Sequence, residues 1–289
     1  MSAARALSVL ETQALYLPPP SALNDPFEFA GNVEYECTME DRKAILDLAA
    51  KNELGFTEEQ ICETEQLRDE MAKTDFYVYL LSLKIRGLLK YFFEFSGVSC
   101  FTTHCDHPLL WAHYADGHRG ACLVFNDLDG QCPIFNRDLP PMPVVYADVV
   151  PKVRVLDFYM ERRAFWNAVF RVFATKQTTW AYEQEWRVVL PSTRAMSDEQ
   201  RLLHFEQQHM CKVILGDRIP PDVRNAIRSK QAERKFPLLV YQSRLRDDGA
   251  GLGFKLIPPG FEYKSHTQWH ELPGAENSSP FPTFLRVDA

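Results

Sequence analysis

The sequence predicts an α+β domain organised around a mixed β-sheet, and three observations carry that prediction. Short apolar runs such as ACLVF (121–125) and EWRVVL (185–190) are interleaved with longer segments of helical spacing, without the strict alternation of a doubly wound sheet. The chain has 289 residues, 46% of them hydrophobic and 12% aromatic, which suffices for a large core. No internal repeat or low-complexity linker divides it. The expected organisation is one domain over residues 1–265, with a helical insertion at about 39–94 and a polar tail at 266–289.

The elements follow in order. Residues 6–17 read as a short helix stopped by Pro18, Pro19 and Pro20. Ser21–Glu28 reads as a turn, because Pro26 pushes Asp25 out of helical conformation. The stretches 39–54, 57–73 and 75–94 carry apolar residues at helical spacing. Gly97–Phe101 is a short strand, Pro108–Ala115 a helical turn, and 121–125 and Val144–Tyr146 are strands. Residues 156–174 form a helix carrying Phe158, Phe165, Trp166, Phe170 and Phe173, followed by a strand over 185–190. Lys212–Leu215, Leu238–Gln242 and Gly253–Ile257 complete the strands, with a helix over Pro221–Ser229.

Net charge is −7 and the sequence pI about 5.7, so general attraction to a nucleic-acid backbone is disfavoured, though a small basic site is not. Seven cysteines (37, 62, 100, 105, 122, 132 and 211) are odd in number and scattered, which argues against a disulfide framework. The opening MSAARALSVLETQ lacks a signal-peptide apolar core, and no apolar run reaches membrane-spanning length. These features predict a cytoplasmic protein with no membrane association.

Chemistry-bearing residues concentrate in two segments. Cys100–Gly120 holds Cys100, His104, Cys105 and His107, but their spacing matches no standard zinc motif, so a metal is not expected. On a helical turn Trp111 and Tyr114 share a face able to stack a planar ring, with His113 and His118 supplying hydrogen bonds. Gly120 would let a ligand approach the backbone. By composition alone, ordinary core packing of these aromatics is the stronger reading. In the second segment Glu183 and Glu185 alternate at strand spacing and point to one face. Arg187 falls on that face and can neutralise them. Beside Tyr182, the paired carboxylates also suit a site that stabilises an oxocarbenium-like positive centre.

LYLPPPSALNDPFEF, VSCFTTHCDHPLLWAHYADGHRGACLVF, VVYADV, ATKQTTWAYEQEWRVVL and CKVILG, in that order, resemble a widespread bacterial family of unknown function. Its members share an NDPFE turn, a W(S/A)HYA stretch and a K…W.YE.E strand, and the resemblance spans roughly residues 9–257. Related chains usually carry a short Y-K-Y-like strand ahead of the first helix, and the resemblance implies that this sequence starts after it. The family is distantly similar to ADP-ribosyltransferases of toxins and phage defence. That resemblance implies a split β-sheet and NAD as substrate. It also implies a macromolecular target (protein or nucleic acid) and a possible partner protein of a defence system. Carried over, Glu185 is the catalytic glutamate and Glu183 the upstream acid. Trp111, His113 and Tyr114 line the nicotinamide side, and Asn24 and Asp25 shape the rim. His118, Tyr182 and Arg187 complete the cofactor-facing set, and Lys176 with Arg187 is a candidate for phosphate contacts. Two rival functions are a metal-dependent hydrolase or nuclease using His104, His107, His113 and His118, and a non-catalytic binding or sensor module.

Overall fold

The computed structural model describes residues 1–25, 34–50, 75–126, 139–149, 151–246 and 251–258. The helical reading of 57–73 and the polar tail at 266–289 lie outside them. The chain opens with α1 (Ala3–Thr12), β1 (Ala14–Tyr16), β2 (Glu34–Glu36), α2 (Met39–Ala50) and α3 (Asp75–Phe95). Next come β3 (Gly97–Thr102), α4 (Pro108–Tyr114), β4 (Ala121–Phe125), β5 (Met142–Pro143), β6 (Val145–Tyr146) and β7 (Lys152–Arg154). The second half runs through α5 (Val155–Met160), α6 (Arg162–Phe173), β8 (Thr175–Lys176), β9 (Glu185–Leu190), β10 (Leu202–His204) and β11 (Met210–Leu215). It closes with α7 (Pro221–Glu233), β12 (Leu239–Leu245) and β13 (Leu252–Ile257).

The architecture is mixed α+β with several small sheets. A four-stranded sheet has the order β13-β12-β11-β4, in which β11 and β12 are parallel, joined through α7, and the outer pairs antiparallel. A three-stranded antiparallel sheet has the order β3-β9-β5. Two-stranded pairings join β1 to β10, β2 to β7 and β6 to β8.

Two apolar cores flank the three-stranded sheet, because side chains alternate across a strand. On β9, Val188 enters a core with Phe125, Val213, Ile227 and Val240, while Val189 enters one with Leu89, Phe92, Phe165 and Phe173. On β3, Val98 belongs to the second core and Phe101 packs on the first. The second core is aromatic: Phe92 meets Phe173 edge-on at 5.4 Å between ring centroids. Buried Arg201 donates to the carbonyls of Phe95, Ser96 and Leu17, satisfying backbone acceptors where α3 ends.

The structure amends three boundaries. The first helix is Ala3–Thr12, capped by Ser2, and ends where Gln13 turns left-handed (φ 53°), so Ala14–Tyr16 becomes a strand rather than a helical turn. The expected helix at 156–174 is two helices, broken at Glu161 (φ −137°, ψ 81°). The strand expected over Val144–Tyr146 is split: Val144 donates to Glu185, and Val145 then turns to Ala174, so this segment leaves β9 for β8.

Candidate active site

That change of partner builds the site. β6 lies beside β8 with Tyr146 paired to Lys176, and the Tyr146 hydroxyl accepts the amide N–H of Glu185 at 2.8 Å. Lys176 is thereby laid against the start of β9. The intervening residues form a 3-10 turn over Thr178–Glu183, anchored by Asp148, which accepts from the Thr178 amide (3.0 Å) and hydroxyl (2.7 Å). Those two bonds hold the Asp148 carboxyl below its ordinary range. Gln184 then adopts a left-handed conformation (φ 43°), and the Thr102 hydroxyl secures the Glu183 carbonyl at 2.6 Å. Glu183 therefore belongs to the turn and Glu185 to the strand. They do not share a strand face, as alternation predicted; the left-handed kink at Gln184 makes them converge instead.

They converge on Lys176. Its ammonium donates to Glu183 Oε2 at 2.6 Å and Glu185 Oε2 at 3.2 Å, and lies 4.6 Å from the centre of the Trp180 ring. Arg187, wholly buried, grips Glu185 through Nε (2.7 Å to Oε1) and Nη2 (2.9 Å to Oε2), and gives Nη1 to the Phe173 carbonyl at 2.8 Å. Burial pushes the Glu185 carboxyl up, but the hydrogen bonds and charge of Arg187 and the charge of Lys176 outweigh it, leaving it below its ordinary value. Four formal charges are thus paired, two of each sign.

The other oxygen of Glu183 is bound from the α4 side. Its Oε1 accepts from the Tyr114 hydroxyl at 2.6 Å, and that hydroxyl accepts from the exposed Asn24 amide at 3.0 Å. Burial, then the bond to Glu183, raises the Tyr114 phenol, so it stays a donor. Around Tyr114 runs a continuous band of rings. His107 stacks on Tyr182 at 4.9 Å, Tyr182 meets Trp180 at 6.2 Å, Trp180 meets His113 at 6.1 Å, and His113 meets Tyr114 at 6.4 Å. A half-exposed aromatic band beside a buried carboxylate pair suits a planar ligand with a polar or positive centre.

Asn24, His113, Tyr114, Tyr182, Glu183, Glu185 and Arg187 are brought together, and Asp25 is buried next to Asn24 in the chain. Trp111 is not among them. Its indole N–H donates to the Cys105 carbonyl at 2.6 Å, and it packs in a third core with Val124, Ile214 and Leu252. His118 stacks on Trp111 at 6.2 Å, away from the carboxylates, and burial with the charge of Arg218 lowers its imidazole pKa. Three-residue spacing makes the two neighbours on the helix, yet Trp111 points into the third core while Tyr114 reaches Glu183. Gly120 serves the chain's own backbone: a Cβ there would come within 2.0 Å of the Met1 carbonyl oxygen. Sequence reading missed Thr102, Tyr146 and Trp180, and took Lys176 as a candidate phosphate contact or, equally, a solvated residue. The spacing K…W.YE.E carried the signal for Lys176 and Trp180.

Among the described residues no group of three or more His, Cys, Asp or Glu is placed to hold a metal. Cys105 is buried, His104 meets Gln184 Oε1 at 2.5 Å, and His107 stacks on Tyr182. Among the described residues no helix is long and apolar enough to cross a membrane. A cleft of about 360 Å³ lies on the other side of the β6–β8 pair, lined by Val145, Ala147, Thr175, Lys152 and Arg171, and does not include the carboxylates.

No curated protein and no solved structure matches the chain. A family described as "Protein of unknown function (DUF2971)" matches residues 110–188, from α4 into β9, a span that contains Tyr114, Lys176, Trp180, Glu183, Glu185 and Arg187. Over residues 110–188, which carry the charged centre of this site, the chain is similar to a family of unknown function.

Proposed function

We propose that this chain is an NAD-consuming enzyme of the ADP-ribosyltransferase kind, which modifies a macromolecule or hydrolyses NAD, in phage defence or as a toxin. One observation carries the reading: a carboxylate of the buried Glu183–Glu185 pair reaches a half-exposed aromatic band through the Tyr114 hydroxyl. In the reaction the nicotinamide–ribose bond breaks, and its electron pair leaves with nicotinamide. Positive charge develops at the anomeric carbon, where a carboxylate stabilises it. Water or a side-chain nucleophile then bonds to that carbon, and its proton passes to a carboxylate or to solvent. Glu183 is the better candidate for the ligand-side acid, since its Oε1 is joined to the aromatic band through the Tyr114 hydroxyl, whereas both oxygens of Glu185 are held by the buried cations Arg187 and Lys176. Glu185 then acts by holding its partners in place.

A specific observation favours a second reading, a non-catalytic recognition module. The two carboxylates are 3% and 5% exposed and are matched by two cations, as in a structural ion cluster beneath a recognition surface. Fluorescent or radiolabelled NAD, with and without cell lysate, separates the two. Glu183→Gln keeps the Lys176–Glu185–Arg187 contacts and is the cleaner probe. Loss of label transfer or nicotinamide release by at least about a hundredfold in E183Q, with an unchanged circular dichroism spectrum, supports the enzyme. Wild-type protein that neither turns over NAD nor binds it by calorimetry refutes it.

A further inference from the structure

Among the described residues, Lys176 is the cation that bridges Glu183 and Glu185. Its side chain is 2% exposed, and its ammonium touches Glu183 Oε2 and Glu185 Oε2 at once. Two carboxylates sharing one nitrogen lie close enough to repel strongly in a buried setting. Arg187 is committed to Glu185 and the Phe173 carbonyl. The other groups facing this centre are the Tyr114 and Tyr146 hydroxyls, bonded to Glu183 and to the Glu185 amide, and the Cys100 thiol, a hydrogen-bond partner of Glu185. These are hydroxyl and thiol groups, and none of them carries a positive charge.

We propose that Lys176 is the positioning residue of this site: its ammonium is the shared counter-ion that keeps Glu183 and Glu185 charged and side by side at neutral pH. Its part in catalysis rests on the NAD reading above; its charge-holding part does not. With Lys176 replaced by Met, the two acids face each other with Arg187 alone, and the pair takes up a proton. A carboxyl whose pKa is raised in the folded state opposes folding above that pKa, and the opposition fades as pH falls. The stability gap between wild type and K176M is therefore widest at pH 7 and closes toward pH 5.

Urea unfolding of wild type, K176M, K176R and K176M/E183Q at pH 5, 6 and 7 tests this. One extra proton held by the folded variant makes the wild-type to K176M ratio of folding constants grow about tenfold per pH unit. K176R keeps the wild-type pH dependence, and E183Q restores it in the K176M background by leaving one acid for one cation. K176M that folds at pH 5 and not at pH 7 is the same result in extreme form. Parallel curves for wild type and K176M overturn the proposal, as does failure of E183Q to remove the added pH dependence. So does a K176M chain unfolded at both pH values with or without E183Q. Absence of NAD turnover in wild type refutes the functional reading alone and leaves these curves to decide the role of Lys176.

Discussion

Glu185 and Arg187 sit two apart on a strand, so alternation alone puts their side chains on one face, and burial makes the pairing obligatory. Removing one partner of such a pair leaves the other charge buried and uncompensated. Arg187→Met is expected to lower stability by about 3–5 kcal/mol in urea unfolding, and Glu185→Leu added to it to recover part of that loss. By the same physics Glu185→Gln is expected to destabilise the fold, because Arg187 would lose its counter-charge. Glu185 is held below its ordinary pKa of 4.5, so its contribution is present above that pH and disappears as pH falls through the lower folded value. Acid titration should therefore destabilise wild type more steeply than the E185L/R187M double variant. If both fall in parallel below pH 4.5, the pair is not what links folding to acid.

At the scale of elements, β-rich runs were legible because alternation and β-branching sit in the sequence: 97–101, 121–125, 185–190, 212–215 and 253–257 all lie within or coincide with observed strands. The 3-10 turn at Thr178–Glu183 was not, since its TTWAYE sequence has neither strand alternation nor a helix-length apolar period. The consequence reached the site. Glu183 was recognised as a candidate from its spacing to Glu185, yet the reason the two meet is the backbone of Gln184. Trp111 was misplaced for a related cause, because a seven-residue helix shows which residues are close in sequence but not which side faces the core. A left-handed Gln costs roughly 1 kcal/mol relative to Gly. Gln184→Gly should therefore be at least as thermally stable as wild type. Gln184→Val, with a β-branched side chain at positive φ, should be less stable by about 1–2 kcal/mol. A Val variant as stable as wild type would mean that the kink is not what sets the path from turn to strand.

At the scale of the whole molecule, the three-stranded sheet ties the chain together. Consecutive residues of β9 enter different cores, Val188 the one beside the four-stranded sheet and Val189 the aromatic one beneath α3 and α6. The same strand begins with Glu185, so the charge cluster, both cores and the turn that carries Trp180 meet on one short segment. A core that loses β9 exposes the inner face of the other, and neither can open alone. Val188→Ala and Val189→Ala should each cost about 1–3 kcal/mol through lost burial and the cavity left behind. Both should shift one common unfolding transition, read alike by tryptophan fluorescence and by far-ultraviolet circular dichroism. Two separated transitions, with each substitution moving only its own, would show that the cores fold independently. In that case the carboxylate pair would lie on a boundary between folding units rather than inside one.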